Sequence, residues 1–285
     1  MSTAAGVRAL VHDVVEATRG HDLALIAAGV TFYAAIGLIP MWLLSLFLAG
    51  QLMGPDMVQD LADGLTGLLP DELGARDAAR FLASAGTSMS PLAALAALVP
   101  ASLYGEGLVR AFDRFTDRPS RRRSARGRIG SLVVVALSPV LLLGGLSAAQ
   151  ALTQVLGDSL LDRVLGIYFA FLVGWFTISP VLAFAYRGLT LERPGRRALL
   201  WGAAGTGSFL SGTCLGFLLF LSLGIDLGGA YGGATNLATA AACVGWLFVL
   251  HVIVLVGYVT TLVLDARDGH PLAAPVGRVR VGTPA

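Results

Sequence analysis

Six stretches of the chain stay apolar for about twenty residues or more, and short polar or charged segments separate them. A helix rises 1.5 Å per residue and a bilayer core is about 30 Å thick, so about twenty apolar residues suffice to cross it. The pattern predicts spans over Leu23–Gly50, Ser90–Leu108, Ile129–Leu156, Val164–Tyr186, Ala198–Leu223 and Asn236–Leu264. Strict alternation of apolar and polar positions is missing, which argues against a membrane β-barrel. The expected fold class is all-α: a polytopic membrane protein with six transmembrane helices. Residues 1–22 are expected as a cytoplasmic, interfacial amphipathic helix, 23–264 as the transmembrane domain and 265–285 as a disordered cytoplasmic tail.

Local signals refine this outline. Ser90-Pro91 reads as an N-cap followed by proline at the first helical position, where no amide donor is lost. Pro40, Pro100, Pro139 and Pro180 predict kinks inside spans. Gly188, after Tyr186-Arg187, suggests a left-handed helix end. Val7, Leu10, Val11, Val14 and Val15 share one helical face, opposite Arg8, Asp13 and Glu16, as in a helix lying in the membrane interface. Val58, Leu61, Leu65, Leu68 and Leu69 form a second stripe, so the loop 51–89 should hold one or two surface helices. The alternative for both stripes is packing against the bundle. Gly224–Gly233 reads as a flexible or tightly turned outer loop, because it lacks the Lys and Ser/Thr of a phosphate-binding loop.

Composition excludes the main soluble alternatives. Hydrophobic residues make up 55% and charged residues 13%, and the latter is about half the roughly 25% usual for soluble domains. Mean hydropathy is +0.75. A cytosolic enzyme, a disulfide scaffold and a disordered tail protein are all ruled out by this balance. Cys214 and Cys243 both lie in apolar stretches and read as packing residues. The N-terminal residues carry charges throughout, so no cleaved signal peptide is expected. All 20 basic residues are arginine, and 17 of them fall in the N-terminal segment, the second and fourth loops and the C-terminal tail. Only Arg76, Arg80 and Arg163 fall on the other side. Arginine accumulates on the cytoplasmic side, so both termini are expected there.

With the spans placed, the chain resembles the YihY/BrkB family of bacterial inner-membrane proteins, sometimes labelled ribonuclease BN. The resemblance rests on Ala27-Ala-Gly-Val-Thr-Phe-Tyr-Ala-Ala-Ile-Gly-Leu-Ile-Pro40, on Gly107-Leu-Val-Arg-Ala-Phe-Asp-Arg-Phe followed by Arg121-Arg-Arg, and on Tyr186-Arg-Gly-Leu. Gly202-Ala, Tyr231-Gly and Trp246-Leu-Phe with Gly257 complete it. The chain is a divergent member: Gly37 and Asp113 stand where the family usually has Ser and Asn, and Tyr258-Val-Thr-Thr261 replaces Ala-Glu-Leu-Asn. The resemblance implies a multi-pass protein of the bacterial plasma membrane.

Candidate chemistry is sparse. Glu106 is the one carboxylate inside a predicted span, and a charge there should face water, the bundle interior or a partner. It is either a proton or cation site or the partner of Arg110 one turn later. His251 sits mid-span, as a packing or proton-relay residue. Gln150, Thr153 and Gln154 share a face and either glue helices together or line a polar cavity; Gln150 and Gln154 with Glu106 and His251 make a candidate polar pathway. Thr31, Tyr33, Asn236, Thr260 and Thr261 are similar candidates, with helix glue the preferred reading over a polar lining. Ser208, Gly212 and Gly216 are the expected packing positions, either inside the bundle or at a homo-oligomer face. Arg121, Arg122, Arg123, Arg126 and Arg128 are expected to set topology and meet anionic headgroups. Membrane lipids are the expected partners, and nucleic acid is not. No nucleophile–base pair or metal-ligand spacing is present, so no catalytic residue, cofactor or metal is expected and the ribonuclease label is set aside. The functional expectation is a transporter-like protein that handles a solute or lipid in the cell envelope. The alternative is a non-transporting scaffold that maintains envelope integrity.

Overall fold

The computed structural model describes residues 3–66, 75–116, 125–137, 159–190, 192–221 and 228–269. Of these, 88% are helical and none lies in a strand. The described helices are α1 (Thr3–Thr18), α2 (Leu23–Met53), α3 (Pro55–Thr66), α4 (Ala75–Thr87), α5 (Pro91–Phe112), α6 (residues 125–137), α7 (Leu160–Gly188), α8 (Arg196–Leu221) and α9 (Thr235–Arg267). Five of them, α2, α5, α7, α8 and α9, are long and apolar enough to cross a membrane. The third predicted span coincides with α6 over residues 129–137, and its remainder lies outside the described residues.

Capping chemistry explains where several helices begin. The Asp22 carboxylate accepts the Leu25 amide at 3.0 Å, ahead of α2. Ser90 Oγ accepts the Ala93 amide at 3.2 Å and Pro91 occupies the first turn of α5, as its sequence indicates. α7 starts four residues before its apolar run, because Ser159 and Asp162 form a reciprocal capping box. Its other end departs from expectation. Gly188 is the last helical residue, and Leu189 follows in a right-handed conformation (φ −88°, ψ −19°). The Thr190 hydroxyl donates to the Tyr186 carbonyl at 2.6 Å, so a left-handed turn is not needed to satisfy that carbonyl.

α2 packs on α5, α7 on α8 and α8 on α9, and α2 also meets α9, which joins the two groups. Phe112, Tyr186 and Tyr258 form the centre of the core, with ring centroids 4.5 to 5.8 Å apart. Tyr186 Oη donates to the Val254 carbonyl at 2.9 Å, so this buried phenol is satisfied. The outer surface is the reverse of a soluble protein's: Phe32, Phe176, Trp201 and Phe209 are all more than 60% exposed. Apolar side chains exposed on this scale require a lipid solvent. α3 and α4 occupy the loop 51–89, and Arg80 Nε donates to Asp63 Oδ1 between them at 3.1 Å. α1 divides its stripe: Leu10, Val14 and Ala17 pack on the core, whereas Val7, Val11 and Val15 remain more than half exposed.

Candidate functional site

Glu106 sits on α5 and is 4% exposed. Arg110 Nη2 donates to its Oε1 at 2.5 Å, one turn along the same helix. Arg128 Nε, from α6, donates to Oε2 at 2.9 Å. That second bond depends on a close helix crossing. A Cβ on Gly105 would stand 2.1 Å from the Gly127 carbonyl oxygen, and one on Gly127 would stand 2.5 Å from that of Gly105. The Ser131 hydroxyl reaches across the same crossing to Ser102 O at 3.2 Å. The carboxylate is thus held between two guanidiniums that are themselves about half exposed. Two charge-assisted bonds offset its burial and anchor α6 on α5.

His251 lies on α9 and is 2% exposed. Its Nδ1 is 3.1 Å from Thr31 Oγ1 on α2, and its Nε2 is 3.1 Å from Tyr104 Oη on α5. One arrangement satisfies every group: the Thr31 hydroxyl donates to the Ala27 carbonyl at 2.8 Å, Nδ1–H donates to Thr31, and Nε2 accepts from the Tyr104 hydroxyl. Three helices are tied together by one imidazole, and both ring nitrogens are used.

The structure therefore gives Glu106 and His251 separate partner sets and no hydrogen bond to each other. Gln150 and Gln154 lie outside the described residues, as do Arg121, Arg122 and Arg123. Of the remaining sequence candidates, Arg126 donates to Leu189 O at 3.4 Å and Arg128 holds Glu106. On α8, Ser208 is half-buried, a Cβ on Gly212 would meet Phe171 Cε2 at 3.9 Å, and one on Gly216 would meet nothing within 4 Å. The close contacts of α8 fall on other residues. Ser211 Oγ donates to Phe171 O at 2.8 Å, Trp175 Nε1 donates to Ala204 O at 2.8 Å, and Gly207 faces Ser179.

The arginine-bearing segments converge at one end of the bundle. Asp265 Oδ1, on α9, accepts the Gly195 amide at 2.8 Å and so caps the start of α8 from another helix. Arg267 Nε donates to Asp13 Oδ2 at 3.1 Å, which ties α1 to the end of α9. The Arg267 guanidinium holds the Asp13 carboxyl below the usual carboxylate range.

Three cavities open among these elements. A lateral groove of about 350 Å³ between α2 and α5 is lined by Leu25, Ile26, Val30 and Tyr33, with His21, Asp22, Arg110 and Arg114 toward the arginine-bearing end. A second, of about 440 Å³, is lined by Arg126, Arg187, Gly188, Thr190 and Arg193. A third, of about 600 Å³, is apolar and brings Trp42, Phe217, Trp246, Cys214 and Cys243 to one space. Among the described residues no group of three or more His, Cys, Asp or Glu is placed to hold a metal ion.

Sequence reasoning read the Glu106–Arg110 spacing but not Arg128, Tyr104 or Asp265. Tyr104 stands two residues before Glu106 in an apolar run, and its bond to His251 spans 147 positions. No local signal marks such a pair.

The family described as Virulence factor BrkB matches residues 14–276. No curated protein matches the chain, and no solved structure does. The matched family is not a recognised enzyme family. With five helices fit to span a bilayer, a lipid-adapted surface and a family match over nearly its whole length, the chain is an integral, multi-pass membrane protein and belongs to the BrkB family.

Proposed function

We propose that this protein is a transporter-like plasma-membrane protein that handles an anionic amphiphile, with both termini in the cytoplasm. The observation that carries the reading is the lateral groove between α2 and α5. Arg110 and Arg114 suit a charged headgroup, and Leu25, Ile26, Val30 and Tyr33 suit an acyl chain. Arg114 forms no ion pair among the described residues, so its charge is available to a ligand. Gly29 lines the groove, and a Cβ there would meet nothing within 4 Å. The floor is thus open to a chain entering from the membrane.

The converging arginine segments support the orientation, because 17 of 20 arginines belong to that side. The exposed Val7, Val11 and Val15 of α1 support an interfacial position for the N-terminal helix. The polar-pathway residues supply less support, since Glu106 and His251 are engaged in separate helix-tying bonds.

The test is reconstitution of the full chain into liposomes with fluorescent phosphatidylglycerol, scored by dithionite quenching, alongside a solute panel. Protein-dependent movement of the anionic lipid is expected, and Gly29→Trp should slow it by filling the groove. Liposomes that move neither lipid nor solute, with stable partners recovered by crosslinking, would replace this reading with the scaffold one.

A further inference from the structure

We infer that the cavity lined by Arg126, Arg187 and Arg193 is a binding site for a phosphate group, separate from the lateral groove. Three guanidiniums line one space of about 440 Å³, and no carboxylate shares the lining. Among the described residues Arg187 and Arg193 form no ion pair. The like charges of Arg187 and Arg193 repel each other until an anion enters.

Arg187 is positioned without being neutralised. Arg187 Nη1 donates to Pro194 O at 2.8 Å, and Arg126 Nη1 donates to Leu189 O at 3.4 Å. A carbonyl takes one of the five N–H donors of a guanidinium and carries no charge, so the positive charge and the other donors are retained. Arg193 has no hydrogen bond among the described residues.

Arg193 lies between two held residues, Thr190 and Gly195. The Thr190 hydroxyl lies 2.6 Å from Tyr186 O and 2.7 Å from Glu192 O, and Thr190 is buried. The Gly195 amide is held by Asp265 from α9. A rigid rim keeps the ordering cost of binding low. Guanidinium forks match the oxygens of phosphate in pairs, and a tetrahedral phosphate offers enough oxygens for more than one fork.

The cavity opens beside the last turn of α7, just past the apolar run that ends at Tyr186. At that depth the phosphate can come from a phospholipid headgroup or from a soluble phosphate species. The two sources share the same chemistry and differ only in the attached group.

The test uses the full chain purified in dodecyl maltoside. One arm titrates inorganic phosphate by calorimetry, with chloride as control. The other adds phosphatidic acid, with phosphatidylcholine as control, and counts retained lipid by native mass spectrometry. Saturable binding in either arm is expected, and the arm that responds identifies the source. Arg193→Gln should weaken that binding roughly tenfold or more, and Arg193→Lys should recover only part of it because the fork is lost. Arg193 ties down no other described residue, so the variant should keep its thermal midpoint in the absence of phosphate. Arg187→Gln provides a second reading of the site. Absence of binding in both arms, or equal binding by wild type and Arg193→Gln, would overturn the assignment.

Discussion

Thr261 on α9 fills the notch left by Gly202 on α8: a Cβ on Gly202 would stand 1.9 Å from Thr261 Oγ1. One turn away the roles exchange, and a Cβ on Gly257 would stand 2.0 Å from Thr206 Oγ1. Each threonine returns its proton to its own helix. Thr261 Oγ1 donates to Gly257 O at 2.8 Å, and Thr206 Oγ1 donates to Gly202 O at 2.7 Å. A Gly-x-x-x-Thr step is thus written once on each helix, and the antiparallel approach makes the two copies complementary. The hydroxyls are satisfied within their helices, so the close approach leaves no buried donor unpaired.

This crossing predicts a contrast between glycines on one helix. Gly202→Val or Gly257→Val should destabilise the detergent-solubilised protein by about 1–3 kcal/mol, the usual cost of overpacking. Gly216→Val should leave the thermal midpoint unchanged, since its Cβ would meet nothing within 4 Å. Scanning fluorimetry on the three variants decides. Equal losses at positions 202 and 216 would contradict the α8–α9 geometry. Crosslinking of the Gly216→Val protein would report separately on whether that face mediates self-association.

The Glu106 ion cluster should behave non-additively. Arg110→Ala or Arg128→Ala alone leaves the other guanidinium on the carboxylate and should cost about 1 kcal/mol or less, because both guanidiniums are half exposed and screened. The double variant removes both described cations from a buried carboxylate and should cost about 3 kcal/mol, more than the two single losses combined. Glu106→Gln in that background should recover part of the loss. Thermal midpoints of the four proteins form the test, and simple additivity would refute the shared-carboxylate arrangement.

His251→Phe should loosen the junction of α2, α5 and α9 while preserving bulk. Hydrogen bonds of this kind average about 0.6 kcal/mol in membranes, so a total loss of about 1–2 kcal/mol is expected. A double-mutant cycle with Thr31→Val should show coupling, since Thr31 Oγ1 and His251 Nδ1 are 3.1 Å apart. Zero coupling energy would show that the bond does not contribute.

Acid should release α1 from α9. The Arg267 guanidinium lowers the Asp13 carboxyl below its ordinary value, so the bridge stabilises the ionised form. Its contribution is fully present above the unfolded carboxylate pKa of about 3.9 and is lost as pH falls through the lowered native value. Asp13 is 46% exposed, so solvent screening limits the effect to a few tenths of a kcal/mol. Limited proteolysis within residues 3–18 should accelerate below about pH 4. Asp13→Asn should show the faster cleavage at neutral pH and lose that acid step.

Helix boundaries were legible where the cause is local. Ser90-Pro91 and the five apolar runs that coincide with α2, α5, α7, α8 and α9 can each be read within a few residues of sequence, whereas the Asp22 cap came from the structure. The early start of α7 was also available, in Ser159-Leu-Leu-Asp162, although hydropathy alone placed it later. The end of α7 was not legible as a left-handed glycine turn, because the Thr190 hydroxyl satisfies the carbonyl that such a turn would serve.

Membrane class, the apolar spans and the one-sided distribution of arginine came from the sequence by itself. Hydrophobic length and charge are sums over neighbouring residues, and the transfer of a helix into lipid responds to those sums. Tertiary structure alone decided that Glu106 joins Arg128 across 22 positions, that His251 joins Thr31 across 220, and that Gly202 rather than Gly216 receives a neighbouring helix. Those pairings depend on the rotation and register of packed helices. Many rotations bury nearly the same apolar area, so composition cannot choose among them, whereas a hydroxyl meeting a glycine notch or a carboxylate between two guanidiniums can.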